Sequence, residues 1–262
     1  MDTPPDRRQD FSVADLGYIA IVVAGFGAYW WRHLRPTGRS RDNTRELFLP
    51  DAEVALHVAQ HEAGARRQEL SSLHLLYGLL QDEAVTAAIV TAGGDPDALE
   101  DRVLAALAAP PDDDDPGIGF ASRAAAIARH GGRRAGCTDL WAALAGSSAA
   151  RLLDEARLDR GGTLFALFHG GRAPEIALPD ARDVLIVLRN DHYTTQQFVC
   201  SVLRDVFDVD DAHATEIMLA THTTGRAVIG RFSAAAARDR IARARALAQA
   251  QAFPLWIGVE PT

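Results

Sequence analysis

An internal duplication limits what this chain can fold into more than any other feature. The stretch 52–107, AEVALHVAQHEAGARRQELSSLHLLYGLLQDEAVTAAIVTAGGDPDALEDRVLAAL, and the stretch 121–168, ASRAAAIARHGGRRAGCTDLWAALAGSSAARLLDEARLDRGGTLFALF, follow one plan. Each reads as a helix, a basic turn, a short apolar helix, a second small apolar helix, a glycine turn and a final helix. Leu75, Leu76 and Leu79 in the first copy recur as Leu140, Trp141 and Leu144 in the second. Helices this short bury little surface alone, so each copy has to bury its apolar face on the other. The pattern predicts one all-α double-repeat domain over 48–170. Between the copies, PPDDDDPGIG at 110–119 reads as a proline-bounded acidic loop, with Asp112 to Asp115 solvated.

After a second linker, GRAPEIALPDAR at 171–182, the character of the chain changes. Val184–Leu188 is a short β-branched run that predicts a strand. Thr194 and Gln197 are spaced as a capping box, and Phe198, Val199, Val202, Leu203, Val206 and Phe207 form a helical apolar stripe. Asp208, Asp210, Asp211 and His213 suit the start of a second helix over about 211–222, where acids complement the helix dipole. A strand over Ala227–Phe232 follows, then a long Ala/Arg helix capped by Ser233, then a closing strand over Leu255–Glu260. The order β-α-α-β-α-β predicts a small α/β sandwich over 183–262. The fold class expected for the whole chain is therefore α+β.

The N-terminus carries the one membrane signal. From Leu16 to Trp31, LGYIAIVVAGFGAYWW, there is no charge. Sixteen residues at ~1.5 Å each reach roughly 24 Å, slightly short of a ~30 Å hydrocarbon core. Tyr29, Trp30 and Trp31 form an aromatic belt, and Arg32, Arg35, Arg39, Arg41 and Arg45 follow. The preceding MDTPPDRRQD is net acidic, unlike the basic start of a signal peptide. The expectation is a tail and transmembrane helix over 1–31 and an Arg-rich linker over 32–47. The anchor would be single-pass in the inner cell membrane, with the later domains cytoplasmic.

Charge and composition exclude several classes. The net charge is −8, which disfavours nucleic acid as a partner. All 27 basic residues are arginine. A P-loop lysine, a Schiff-base lysine and a kinase-type lysine are therefore absent. Cys137 and Cys200 lie far apart and read as reduced thiols. His57 and His61 have metal-compatible spacing with Glu62 beside them, yet no third ligand is placed nearby, and a solvated helix face is the reading. No nucleophile context such as Gly-x-Ser-x-Gly occurs. The chain reads as a binding protein with no cofactor and no metal, not as an enzyme.

Three motifs in the last 80 residues stand in register: VLRNDHYTTQQFV, ATEIMLATHTTGRAVIG and FPLWIGVE. In these the C-terminal domain resembles the ClpS adaptor family. The two helical repeats, with Leu73, His74, Leu75 and Leu76 as the best marker, resemble the Clp unfoldase N-terminal domain. The resemblance implies a non-catalytic adaptor that holds the free N-terminus of a substrate with a bulky apolar first residue and presents it to a Clp AAA+ unfoldase. It implies Asn190 and His222 as ligands of the α-ammonium group, with Asp191 as the turn acid and His192 beside it. It implies a side-chain pocket of Thr194, Gln196, Val199, Val202, Met218, Thr221 and Leu255, and a partner-docking face that includes Ala235 and Arg240.

Five positions depart from the family pattern, one of them Thr195, which stands where the family has a proline. His192 stands where the family has a second acid, Gln196 where a methionine limits the pocket, and Thr221 where an apolar residue precedes the histidine. Ala235 replaces an acid on the docking face. These predict altered end-recognition. They also leave open an interaction module that keeps the fold and docks or competes with Clp components without reading N-termini. Because the chain carries both a docking domain and its usual ligand, a linker of about twelve residues, extendable to roughly 40 Å, allows 48–170 and 183–262 to meet in cis. A tether of that length raises their effective concentration to about millimolar.

Overall fold

Leu49 is extended ahead of Pro50, and the chain turns helical there because proline at the first helical position loses no hydrogen bond. A computed structural model describes residues 47–109, 118–176 and 183–260. The predicted anchor (16–31), the Arg-rich linker up to Arg45, the acidic run Asp112 to Asp115 and residues 177–182 lie outside the described residues. Among the described residues no helix is long and apolar enough to cross a membrane.

Each repeat forms four helices. The first comprises α1 (Pro50–Arg66), α2 (Ser72–Leu80), α3 (Glu83–Thr91) and α4 (Pro96–Leu107). The second comprises α5 (Ile118–His130), α6 (Cys137–Ala143), α7 (Ser148–Glu155) and α8 (Arg160–His169). Leu75, Leu76, Leu79, Leu140, Trp141 and Leu144 are all buried in one core that draws on both repeats. The repeats also cap each other. The Asp51 carboxylate of α1 accepts the Cys137 N–H that opens α6 (3.1 Å), and Ser72 of α2 accepts the Ala149 N–H of α7 (3.0 Å). A two-bond clasp joins Leu49 N–H to Ala135 O and Ala135 N–H to Leu47 O, both 2.7 Å. Helix N-termini present unpaired N–H groups, and here the sister repeat satisfies some of them.

The repeats differ where their first two helices cross. Gly78 of α2 lies so close to α1 that a Cβ there would sit 2.1 Å from Ala55 O. The matching position in α6 is Ala143, fully buried, so that crossing has room for a methyl group.

The C-terminal 78 described residues follow the order expected: β1 (Asp183–Arg189), α9 (Gln196–Phe207), α10 (Asp211–Thr224), β2 (Arg226–Ser233), α11 (Ala234–Ala250) and β3 (Trp256–Glu260). β1 is the central strand of an antiparallel sheet, order β2-β1-β3, with a register shift between Ile186 and Val187 where it meets β2. Val184, Ile186 and Leu188 alternate along β1 into a core shared with Val202, Leu203, Val206 and Phe207 of α9 and Ala237, Ile241, Ala244 and Ala248 of α11. Alanine along α11 lets that long helix lie close to the sheet.

One capping assignment needs correcting. The N-cap of α9 is Thr195, whose hydroxyl accepts Phe198 N–H at 3.2 Å, not Thr194. Thr194 is held instead by the preceding turn. Ser233 and Asp210 cap α11 and α10 as their positions suggested.

The helical and α/β parts touch at the second repeat. The Tyr193 hydroxyl donates to Asp139 (3.2 Å) and accepts from Arg133 (3.1 Å). Phe168 of α8 stands edge-on to Tyr193 (5.4 Å) and His192 (6.0 Å). His169 bonds the Pro254 carbonyl at 3.0 Å. A Cβ on Gly161 would lie 3.1 Å from Ala252 Cα and 3.1 Å from Gln249 O, so α8 and the end of α11 meet backbone to backbone. Arg245 ties the linker in, donating to Pro174 O (2.6 Å) and Ile257 O (2.7 Å). The described residues form one compact unit.

Candidate functional site

The site grows from the end of β1. The strand stops at Arg189, and the Asn190 N–H donates to Gly225 O at 2.9 Å. Gly225 is the left-handed C-cap of α10, with φ +84°. That bond fixes the Asn190 turn against the last turn of α10, which carries His222. Asp191 then organises the turn. One oxygen accepts Tyr193 N–H (2.8 Å) and Thr194 N–H (2.6 Å), and the other accepts the Thr194 hydroxyl (2.7 Å). This is the side-chain mimic of a backbone turn that aspartate favours. Asp191 is buried at 8% exposure and both its oxygens are engaged, so it shapes the site rather than offering a free acceptor.

A cavity of about 390 Å³ opens beside this turn. That size falls within the range of small-ligand pockets. Asn190, Asp191, His192, Thr194, Gln196, Val199, Met218, Thr221, His222 and Leu255 all line it. The Asn190 amide and the His222 ring make no hydrogen bond to any described group. An amide oxygen and a neutral imidazole nitrogen are both acceptors, suited to an N–H donor that arrives with a ligand. Met218 is 8% exposed and Leu255 4%, and with half-buried Val199 they supply an apolar floor. Thr221 adds little polarity, because its hydroxyl donates back to Ile217 O at 2.8 Å and it is 5% exposed. Gln196 is exposed at the rim, in the first turn of α9.

One assignment changes. Val202 does not line the cavity. It sits one turn below Val199 on α9, at 2% exposure, in the core between helix and sheet. His192 both lines the cavity and packs against the second repeat, with its ring in contact range of a Cβ built on Gly131. Ala235 and Arg240 lie away from both the cavity and the contact between the two parts. Ala235 is exposed, and Arg240 binds within its own domain, to Val206 O and to Asp208 at 2.6 Å. It thereby caps the C-terminal end of α9, a position that favours a cation.

Residues that the sequence did not single out form the remaining wall. Arg123, Ala126, Ile127 and His130 of α5 line the same cavity. Their spacing of i, i+3, i+4 and i+7 places them on one helix face. That mixed stripe was visible, but nothing local connects it to a pocket seventy residues downstream. The electrostatics around this contact are set by burial. Burial first, then the Asp139 charge, pushes the Tyr193 hydroxyl well above its ordinary pKa, so it stays a neutral donor. Burial pushes the His169 imidazole below its ordinary value, with the Pro254 bond opposing in part.

Two regions of the chain match known families. The family model for the Clp repeat (R) N-terminal domain matches residues 48–134. The model for the ATP-dependent Clp protease adaptor protein ClpS matches residues 180–258. The ATP-dependent Clp protease adapter protein ClpS of Desulfatibacillum aliphaticivorans is 42% identical over 76 residues, 29% of this chain and 73% of that protein. The chain belongs to the ClpS adaptor family. ClpS of Nitratidesulfovibrio vulgaris is 38% identical over 90 residues, 33% of this chain and 90% of its own. The solved structure of Agrobacterium tumefaciens ClpS2 bound to L-phenylalaninamide is similar at 30% identity, covering 31% of this chain and 98% of that one, with a TM-score of 0.30. This ClpS-family chain therefore joins a Clp repeat domain to an adaptor domain of the Clp protease system.

Proposed function

We propose that the chain is a non-catalytic adaptor that binds protein substrates by a free N-terminus with a bulky apolar first residue and presents them to a Clp AAA+ unfoldase. The carrying observation is that Asn190 and His222, both without a protein partner, face one cavity floored by Val199, Met218 and Leu255. An α-ammonium donates to the Asn190 oxygen and the His222 ring, and the first side chain is buried among the apolar three. Burial of a Phe or Leu side chain supplies about 1.5–3 kcal/mol, and the charge-assisted bonds fix which end of a peptide enters. Exposed Ala235 and the neighbouring α11 surface stay uncovered by the second repeat, which supports docking of an external unfoldase in addition to the contact within the chain.

The test is binding of the full chain to labelled peptides that differ only in residue one. Phe, Leu, Trp and Tyr should bind, Gly should not, and acetylating the Phe peptide or making His222→Ala should abolish binding. A flat profile favours the second reading, an interaction module without end-recognition. That reading draws on Asp191, whose carboxylate is fully engaged within its own turn. The charge-free run Leu16–Trp31 is proposed as the inner-membrane anchor of this adaptor. Recovery of the chain in the membrane fraction, lost on deleting 16–31, is the expected result.

A further inference from the structure

The adaptor reading accounts for one wall of the cavity. The opposite wall belongs to the helical repeat domain. Arg123, Ala126, Ile127 and His130 of α5 face it, and Arg123, Ala126 and His130 are exposed. This wall is held firmly in place. Arg123 donates from one guanidinium nitrogen to Ala143 O (2.9 Å) and Ala145 O (3.0 Å), at the C-terminal end of α6. That leaves donors on its other two nitrogens and fixes where the charge sits. The turn after α5 is clamped to the adaptor domain through Arg133, Asp139 and Tyr193. No acidic side chain of α5 lines the cavity. Among the described residues the only lining carboxylate is Asp191, which is engaged by its own turn.

We propose that α5 is a second recognition wall of the peptide site, which reads the residues after the first and selects an acidic side chain at position two or three. The proposal rests on the adaptor reading of the pocket. With the first residue buried beside Val199, Met218 and Leu255, the following residues leave along the gap between the two domains. An extended peptide advances about 3.3–3.6 Å per residue. Arg123 to His130 spans seven helical steps, roughly 10 Å. Two or three substrate residues therefore run past the face that carries Arg123, with Ile127 as an apolar rest between the polar ends. A partly exposed Arg–carboxylate pair contributes up to about 1 kcal/mol, so the expected preference is about threefold to fivefold.

The experiment uses the full chain and labelled peptides beginning Phe-Asp, Phe-Ala and Phe-Lys, each with an acetylated control. The expected order of affinity is Phe-Asp over Phe-Ala over Phe-Lys. In Arg123→Gln the Phe-Asp to Phe-Lys ratio should fall to about one, a comparison within one variant that a general loss of stability does not move. Gly161→Leu, which forces apart the backbones of α8 and Ala252 without touching the pocket, should weaken all three peptides and level their affinities. First-residue-dependent binding with no second-residue preference, unchanged in Arg123→Gln, overturns the second wall and leaves the adaptor reading standing. Binding that ignores acetylation, or no binding at all, overturns both.

Discussion

In the first repeat the third residue of the short helix is His74. It accepts the Ser71 N–H (3.2 Å) through Nδ1 and meets the Gln68 amide (3.2 Å) through Nε2. In the second repeat the same three positions hold Asp139, Gly136 and Arg133. Asp139 accepts Gly136 N–H at 2.9 Å and pairs with Arg133 through two bonds of 2.5 and 2.7 Å. The scaffold is one and the polar centre is two. Gln68 uses its amide nitrogen on Leu107 O, so the first network closes within its own repeat. Arg133 and Asp139 have bonding capacity left, and Tyr193 of the adaptor domain takes it up. The comparison teaches how a duplicated fold acquires a docking face: a neutral, self-satisfied centre in one copy becomes a charged centre that a neighbouring domain completes.

The largest effect should come from breaking the charged centre. Asp139 is fully buried, and Asp139→Ala leaves Arg133 and the Gly136 N–H without their acceptor. A loss of about 3–5 kcal/mol in denaturant unfolding is expected. His74→Ala in the neutral centre should cost less, about 1–3 kcal/mol. Equal losses would remove the distinction between the two repeats.

The helix crossings sharpen the same comparison. Gly78→Ala puts a methyl group into the Ala55 carbonyl, and a loss of about 1–3 kcal/mol or more is expected. The reverse change at the matching site, Ala143→Gly, should cost only about 1 kcal/mol. Thermal melts of the two variants check this, and a tolerated Gly78→Ala would contradict the close approach.

Acid should distinguish the centres next. Burial holds the His74 pKa below 6.5, with Glu62 opposing in part, and burial does the same at His169. Each imidazole is neutral in the fold, and the unfolded chain takes up its proton first. Their stability contributions are full above pH 6.5 and decline as pH falls below it toward the lowered values. The slope is at most about 1.4 kcal/mol per pH unit for each histidine. Stability measured from pH 7.5 to 5.5 should fall, and His74→Gln should flatten part of that fall. A stability unchanged over that range would contradict the assignment. The smallest effect belongs to Tyr193→Phe, which removes one hydroxyl from the charged centre. A loss of about 0.5–1.5 kcal/mol is expected, coupled to Asp139→Ala in a double-mutant cycle.

Much of the fold was legible because its signals are local. The repeat leucines, the turn chemistry of Asn190 to Thr194 and the order of strands and helices follow from spacing and from capping residues. The misread residues fail for physical reasons. On α9, Phe198, Val199, Val202 and Leu203 are all apolar, so periodicity alone does not say that 202 and 203 are buried in the core while Val199 faces the cavity and Phe198 packs on Phe253. Thr194 and Thr195 are both good caps, and only the prior use of Thr194 by Asp191 assigns the helix start to Thr195. His192 departs from the family pattern at a position that packs on Phe168 and on the Gly131 turn, a tertiary contact with no local mark. The α5 wall is of the same kind, since it belongs to a different domain.

Hydrogen–deuterium exchange of the full chain, with and without a Phe-Asp peptide, tests the central claim most directly. The account predicts protection appearing together in 190–199, in the last turns of α10 around His222, and in α5 around Arg123 to His130. Protection of the adaptor segments with α5 unchanged would contradict a pocket shared between the two domains.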